Sequence, residues 1–246
     1  VTADGRGPAR IGTSGWDYPH WVEVLYPPGL RPRDRLMRYC QVFDTVEINA
    51  SFYRWPSPAR FEGWRNRLPD GFEMAVKAPR GLTHARRLYS PEQWLERMAQ
   101  GLHELAGRRG PLLVQLPPTM QRDDERLSWF LTRVPPWMRP AVEFRHPSWV
   151  NDDVFDLLER YRAAYCVMSG AGLDCILRAT TDLVYIRLHG PDGGSLYSGS
   201  YSAEDLQWWA ERIREWVGQA RTVYAYFNND GGGNAPRNAL TLRSLL

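Results

Sequence analysis

Residues 112–145 read LLVQLPPTMQRDDERLSWFLTRVPPWMRPAVEFR. The run Leu112–Leu116 is apolar and stops at a Pro-Pro pair, Asp123 to Leu131 has helical spacing, and Ala141–Arg145 alternates apolar and polar residues. A strand, a helix and a strand of these lengths form a βαβ unit, whose two strands run parallel. The same alternation extends in both directions. Upstream, strands are expected at Arg10–Ser14, Thr45–Asn49 and Phe72–Lys77. Downstream, they are expected at Ala164–Met168, Val184–His189 and Thr222–Asn228. Ser90-Pro91-Glu92-Gln93 reads as a capping box with Pro at the first helical position. Asn151 to Tyr161 is a further helix. Ser202 opens another, with Leu206, Trp209, Ile213, Trp216 and Val217 at helical spacing. Eight strands alternating with helices over 246 residues fit a single α/β domain, a (β/α)8 TIM barrel. The rival, a doubly wound open sheet, lacks its GxGxxG after the first strand. Ser169 to Asp182 is too short for a full helix and two loops, so the sixth βα unit is expected to be irregular. The domain is expected over residues 10–246, with residues 1–9 a disordered or loosely attached N-terminus.

Composition excludes several classes. The chain is 43% hydrophobic and 24% charged, and no apolar run approaches the ~20 residues of a membrane span. Its first residues show no apolar signal region. Cys40, Cys166 and Cys175 are odd in number and form no CxxC pair. The expectation is a reduced, cytoplasmic protein, taken as a monomer, with no membrane partner. A net charge of +3 with mixed signs is too weak for a dedicated nucleic-acid coat. Of the 31 basic residues, thirty are Arg and one is Lys77. GC-rich codon bias accounts for the Arg excess, but not for the one amine retained. Lysine supplies a tunable pKa and a nucleophile that arginine cannot.

Strand side chains alternate between faces. One face carries Val46 and Ile48, Met74 and Val76, Leu112, Val114 and Leu116, Val142 and Phe144, and Val184, Ile186 and Leu188. This face suits packing under helices. The other carries Glu47 and Asn49, Lys77, Gln115, Glu143 and Arg145, Arg187 and His189, and Tyr226 and Asn228. In a barrel the second face is the interior. Burying isolated charges there costs several kcal/mol each, so polar groups in phase near the C-terminal ends of six strands point to a ligand site. The bland alternative is a structural ion-pair network. Glu47 and Glu143 against Lys77, Arg145 and Arg187 leave one positive charge in excess, which an anion would balance. Asp230, in phase beyond the last strand, would cancel it. Two glycine-rich loops, residues 190–195 and 231–234, follow strands seven and eight, where barrels bind phosphate. Ordinary turn chemistry explains such loops equally well.

A series of motifs occurs in order: Gly12-Thr-Ser-Gly-Trp16, Val46-Glu-Ile-Asn49 with Phe52-Tyr53, Val76-Lys77-Ala78 with Thr83-His84, and Gln115-Leu-Pro-Pro118. Then follow Val142-Glu-Phe-Arg-His-Pro-Ser-Trp149, Arg187-Leu-His-Gly190 and Phe227-Asn-Asn-Asp230. With these the chain resembles the YecE-like family, domain of unknown function 72, over about residues 10–246. The resemblance implies a TIM-barrel fold and assigns no reaction. It marks Ser14, Trp16, Glu47, Asn49, Tyr53, Lys77, His84, Gln115, Glu143, Arg145, Trp149, Arg187, His189, Asn228, Asn229 and Asp230 as motif positions. The chain departs from the family between Met168 and Leu183, where relatives carry a fuller loop.

Glu47, Lys77, Glu143 and His189 are the candidate catalytic groups, and the remaining motif positions are candidate ligand contacts. The two glutamates could act as acid and base. Their strands are not neighbours, which argues against the ~5–9.5 Å spacing of a glycosidase pair. Lys77 could serve as a Schiff-base nucleophile or acid/base group. No organic cofactor is indicated, whereas a divalent metal on Glu47, Glu143, His189 and Asp230 stays open despite the lack of an HExxH. His20 and His103 read as surface or packing residues. Trp16, Tyr53, Trp55 and Trp149 follow strand ends and are candidate stacking walls. The expected function is an enzyme taking a phosphorylated or otherwise anionic small molecule at the C-terminal face by acid/base chemistry. The alternatives are a metal-dependent nucleic-acid-processing barrel resembling apurinic endonucleases, and a non-catalytic anion binder.

Overall fold

The computed structural model describes residues 8–170, 172, 174–191 and 197–246. Residues 1–7, 171, 173 and 192–196, on which the expectations for the N-terminus, the sixth unit and the first glycine-rich stretch partly fall, lie outside the described set. Eight strands are present: β1 (Ala9–Thr13), β2 (Thr45–Ile48), β3 (Glu73–Lys77), β4 (Arg109–Gln115), β5 (Pro140–Glu143), β6 (Ala164–Ser169), β7 (Leu183–Leu188) and β8 (Thr222–Phe227). Helices α1 (Arg35–Cys40), α2 (Pro58–Arg65), α3 (Glu92–Glu104), α4 (Asp124–Leu131) and α5 (Asp152–Arg160) separate the first six strands. Helix α6 (Ala203–Gly218) joins β7 to β8, and α7 (Asn234–Ser244) follows β8. The sheet order is β1-β8-β7-β6-β5-β4-β3-β2. Ser14, just past β1, bridges Glu47 of β2 in parallel sense. This is the α/β strand order of a (β/α)8 TIM barrel. The chain divides into two compact units. The first comprises the described residues of Val1–Glu47, Val167–Leu177 and Asp182–Leu246, and the second comprises Ile48–Cys166 and Arg178–Thr181.

In the first unit β8 pairs with β1 and β7, with Arg187 opposite Tyr226. Gly12 is required where β1 passes β2, because a Cβ there would sit 2.4 Å from the Thr45 carbonyl oxygen. The N-terminus of α6 is closed by a capping box in which the Ser202 hydroxyl accepts from the Asp205 amide and Asp205 accepts from the Ser202 amide. Its residues Leu206, Trp209, Ile213 and Trp216 are buried, as their spacing requires.

In the second unit β4 pairs with β3 and β5, and the register sets Gln115 opposite Glu143. Asp123 caps α4 and Asn151 caps α5, each accepting from a first-turn amide. The box expected at Ser90 does not form. Ser90 takes φ +44°, α3 begins at Glu92, and no side chain caps it. The left-handed turn carries Ser90 out of the extended conformation an N-cap needs. The sixth crossover contains no helix among its described residues, as its length required. Thr180 fixes it instead: the hydroxyl donates to Ala163 O at 2.7 Å and accepts from Tyr165 N at 2.8 Å.

Candidate functional site

The inward polar residues fall into two groups, one in each unit. In the first, β2 contributes Glu47 and β7 contributes Tyr185 and Arg187, two residues apart and therefore on one face. Arg187 Nε and Nη2 donate to the two Glu47 oxygens at 2.9 and 2.7 Å. Ser14 Oγ and Tyr185 Oη also donate to them, each at 2.7 Å. Glu47 thus accepts four hydrogen bonds, and both charged side chains have no exposed surface. Burial, and then the Glu47 charge, push the Tyr185 hydroxyl well above its ordinary range, so it remains a donor. Tyr185 went unnoticed in the sequence, although its phase with Arg187 marks it.

Beyond β7 and β8 the first unit holds other motif residues. His189 is buried, accepts from Asn228 Nδ2 at 3.2 Å and meets the Tyr197 ring edge-on. Asn229 donates to Gly199 O and Asn238 Oδ1, and its own buried Oδ1 has no partner among the described residues. Asp230 accepts from Trp21 Nε1 at 2.6 Å and pairs with His20 at 3.0 Å. Burial raises its carboxyl pKa against those contacts. His20, expected as a surface or packing residue, is exposed and also contacts a motif position. Gly231–Gly233 forms a 3-10 turn leading into α7, with Gly232 and Gly233 at positive φ. Trp16 is half-buried, and its carbonyl accepts from Tyr26 Oη.

In the second unit, β3, β4 and β5 end on Lys77, Gln115 and Glu143. Glu143 is buried, and its Oε1 accepts from Gln115 Nε2 at 2.5 Å and from Arg145 Nε. The Cys166 thiol lies 3.9 Å from its Oε2. Arg145 retains 9% side-chain exposure. The Lys77 amine sits 4.2 Å above the centre of the Phe52 ring, a cation–π contact. Phe52 meets His84 edge-on at 4.9 Å. His84 belongs to a π-helical turn, Gly81–Ala85, a form common at functional sites. Its pKa is lowered to about 4, first by burial, then by Lys77 and Arg80; Glu143 opposes this and Arg145 adds to it. His84 is therefore neutral at neutral pH, and the field around it is positive. Thr83 Oγ1 is 2.9 Å from its Nδ1.

The remaining motif residues of this unit are spread out. Asn49 precedes the turn Ala50–Phe52, and its buried Oδ1 has no partner among the described residues. Trp149 is fully buried, stacks on Phe144 and donates to Met120 O. Trp55 is buried as well, whereas Tyr53 is 80% exposed. Among the described residues no group of three or more His, Cys, Asp or Glu could hold a metal ion. No described helix is long and apolar enough to cross a membrane.

UPF0759 protein YunF of Bacillus subtilis is 28% identical, over 96% of this chain and 94% of its own. The crystal structure of a DUF72 family protein from Thermotoga maritima matches with a TM-score of 0.88 at 28% identity, covering 97% of this chain and 98% of that one. A DUF72 family protein from Enterococcus faecalis shares the fold at a TM-score of 0.83 and 20% identity, over 97% and 95% of the two chains. The family model described as "Protein of unknown function DUF72" matches residues 10–246, and the chain belongs to that family.

Proposed function

We propose that the protein binds a phosphorylated or otherwise anionic small molecule at the Lys77–His84–Arg145 cluster and acts on it by acid/base chemistry. The observation that carries this reading is the electrostatic setting of His84, where Lys77 and Arg80 each outweigh Glu143. An anion bound beside His84 would oppose the influence of Lys77 and Arg80 on that ring. Lys77, a compact amine, and Arg145, a planar fork held by Glu143, would grip the anion. Glu143 and Gln115 act as positioning residues for Arg145. With the anion in place, the pKa of His84 rises toward neutrality, which makes it an effective proton acceptor when substrate is bound. Glu47 and Arg187 hold the fold in this reading.

The test is a thermal melt in rising inorganic phosphate, with chloride at matched ionic strength as control. Specific binding stabilises by about 2.7 kcal/mol when free phosphate is ~100 times Kd. Lys77→Met and Arg145→Met should abolish the response. Identical melts in phosphate and chloride would refute the reading. Turnover of phosphate esters in the wild type and not in His84→Gln separates an enzyme from a non-catalytic binder.

A further inference from the structure

Tyr53 is the most exposed of the large apolar or aromatic side chains, at 80%, next to Phe52 at 9%. A ring left so far in water contributes almost nothing to folding. Its ring makes a T-shaped contact with Phe52, at 5.1 Å and 89°. Its position is nonetheless fixed. The turn Ala50–Phe52 is anchored by Ser51 Oγ, which lies 2.8 Å from Ile48 O and 2.6 Å from the carbonyl oxygen of Lys77 itself. Phe52 in turn carries the Lys77 amine on its face and makes a T-shaped contact with His84. The Tyr53 ring centre therefore lies no farther from the Lys77 amine than the Lys77–Phe52 and Phe52–Tyr53 distances laid end to end. Of the four aromatic residues expected as stacking walls, Trp55 and Trp149 are buried and Trp16 is half-buried.

We propose that the anion held by Lys77 and Arg145 carries a planar aromatic group, and that this group stacks on the open face of Tyr53. The inference rests on the reading of that cluster as an anion site. Tyr53 determines specificity, and the ligand class is an aryl-bearing anion, such as an aromatic phosphate ester. An offset ring pair is favourable beyond the area it buries, and base–aromatic stacking is of the size that alanine substitution readily detects.

The experiment is calorimetric titration of the whole protein with methyl phosphate and phenyl phosphate. Wild type should bind phenyl phosphate about tenfold more tightly than methyl phosphate. Tyr53→Ala should leave methyl phosphate binding unchanged and remove the preference, while Tyr53→Phe should keep it. Equal affinities in wild type, or a preference that survives Tyr53→Ala, would overturn the stacking role and leave the anion site standing. Loss of preference in Tyr53→Phe equal to that in Tyr53→Ala would also overturn it, because the hydroxyl would then carry the selectivity. Binding of neither probe, with no effect of Lys77→Met, would overturn both readings.

Discussion

Glu47 with Arg187 and Glu143 with Arg145 are the same pair of residue types, each at the end of parallel strands, in very different settings. The first pair has no exposed surface, and its carboxylate is fully occupied by four donors. The second has an arginine that reaches solvent, a glutamine and a thiol beside the carboxylate, and a lysine and a desolvated histidine close by. A buried, saturated ion pair costs desolvation and fixes geometry, with nothing left to offer a ligand. Arg145 keeps some exposure to solvent, and Lys77 and Arg80 add positive charge around His84. In the proposed reading the first glutamate serves the architecture, and the anion binds beside the second.

The contrast breaks most visibly in stability. Arg187→Met leaves Glu47 buried and uncompensated, and should cost about 3–5 kcal/mol, roughly 10 °C in Tm at this chain length. Combining it with Glu47→Gln should cost less than the two single losses summed, since no charge is then orphaned. Arg145→Met should cost less, about 1–2 kcal/mol, because Arg145 keeps side-chain exposure to solvent that Arg187 lacks, so its pairing is less desolvated. Urea denaturation of Arg187→Met, Glu47→Gln, the double variant and Arg145→Met measures this. Equal losses at the two arginines would erase the distinction.

Ligand response should reverse that order. Lys77→Met should weaken phosphate binding at least about tenfold, near 1.4 kcal/mol, with a smaller change in Tm than Arg187→Met. Lys77→Arg keeps the charge but replaces the compact amine by a fork, and should weaken binding by a smaller factor. Titration calorimetry beside thermal melts reads both effects. Normal binding in both Lys77 variants with lowered melting would make Lys77 a structural partner only.

Much of this was legible in residue spacing. Eight strands appear within a few residues of their expected bounds, because period-two alternation on a parallel sheet leaves little choice of face. The sixth crossover was legible from its length alone. The burial of most of the strand-end polar residues follows from their phase, but their division into two groups was not legible. Glu47 and Arg187 are 140 residues apart, and their pairing depends on a geometry that no local pattern encodes. Tyr185 was missed because a tyrosine in an apolar strand reads as core, although it stands in phase with Arg187. The failed cap at Ser90 has the same origin: the Ser-Pro-Glu-Gln pattern says nothing of the left-handed residues Arg87 and Leu88 that reorient the chain before it. Trp149 follows a strand end like a wall residue but packs on Phe144.

The smallest expected effect on stability lies in pH. A folded-state pKa of about 4 against an ordinary 6.5 means that the unfolded chain binds more protons at His84 across that window. The contribution of neutral His84 is therefore fully present above pH 6.5 and lost as pH falls toward 4. Because the ring is half-exposed, the effect should be modest. His84→Gln should flatten stability across this range relative to wild type.

The same ring reports on the field that the anion is proposed to neutralise. In an NMR titration of the His84 imidazole, the midpoint should lie near pH 4 without phosphate. It should rise as phosphate saturates the wild type, and start higher in Lys77→Met with no further response. A midpoint near the ordinary 6.5, or one that saturating phosphate leaves unmoved, would show that the Lys77–His84–Arg145 cluster is not an anion site.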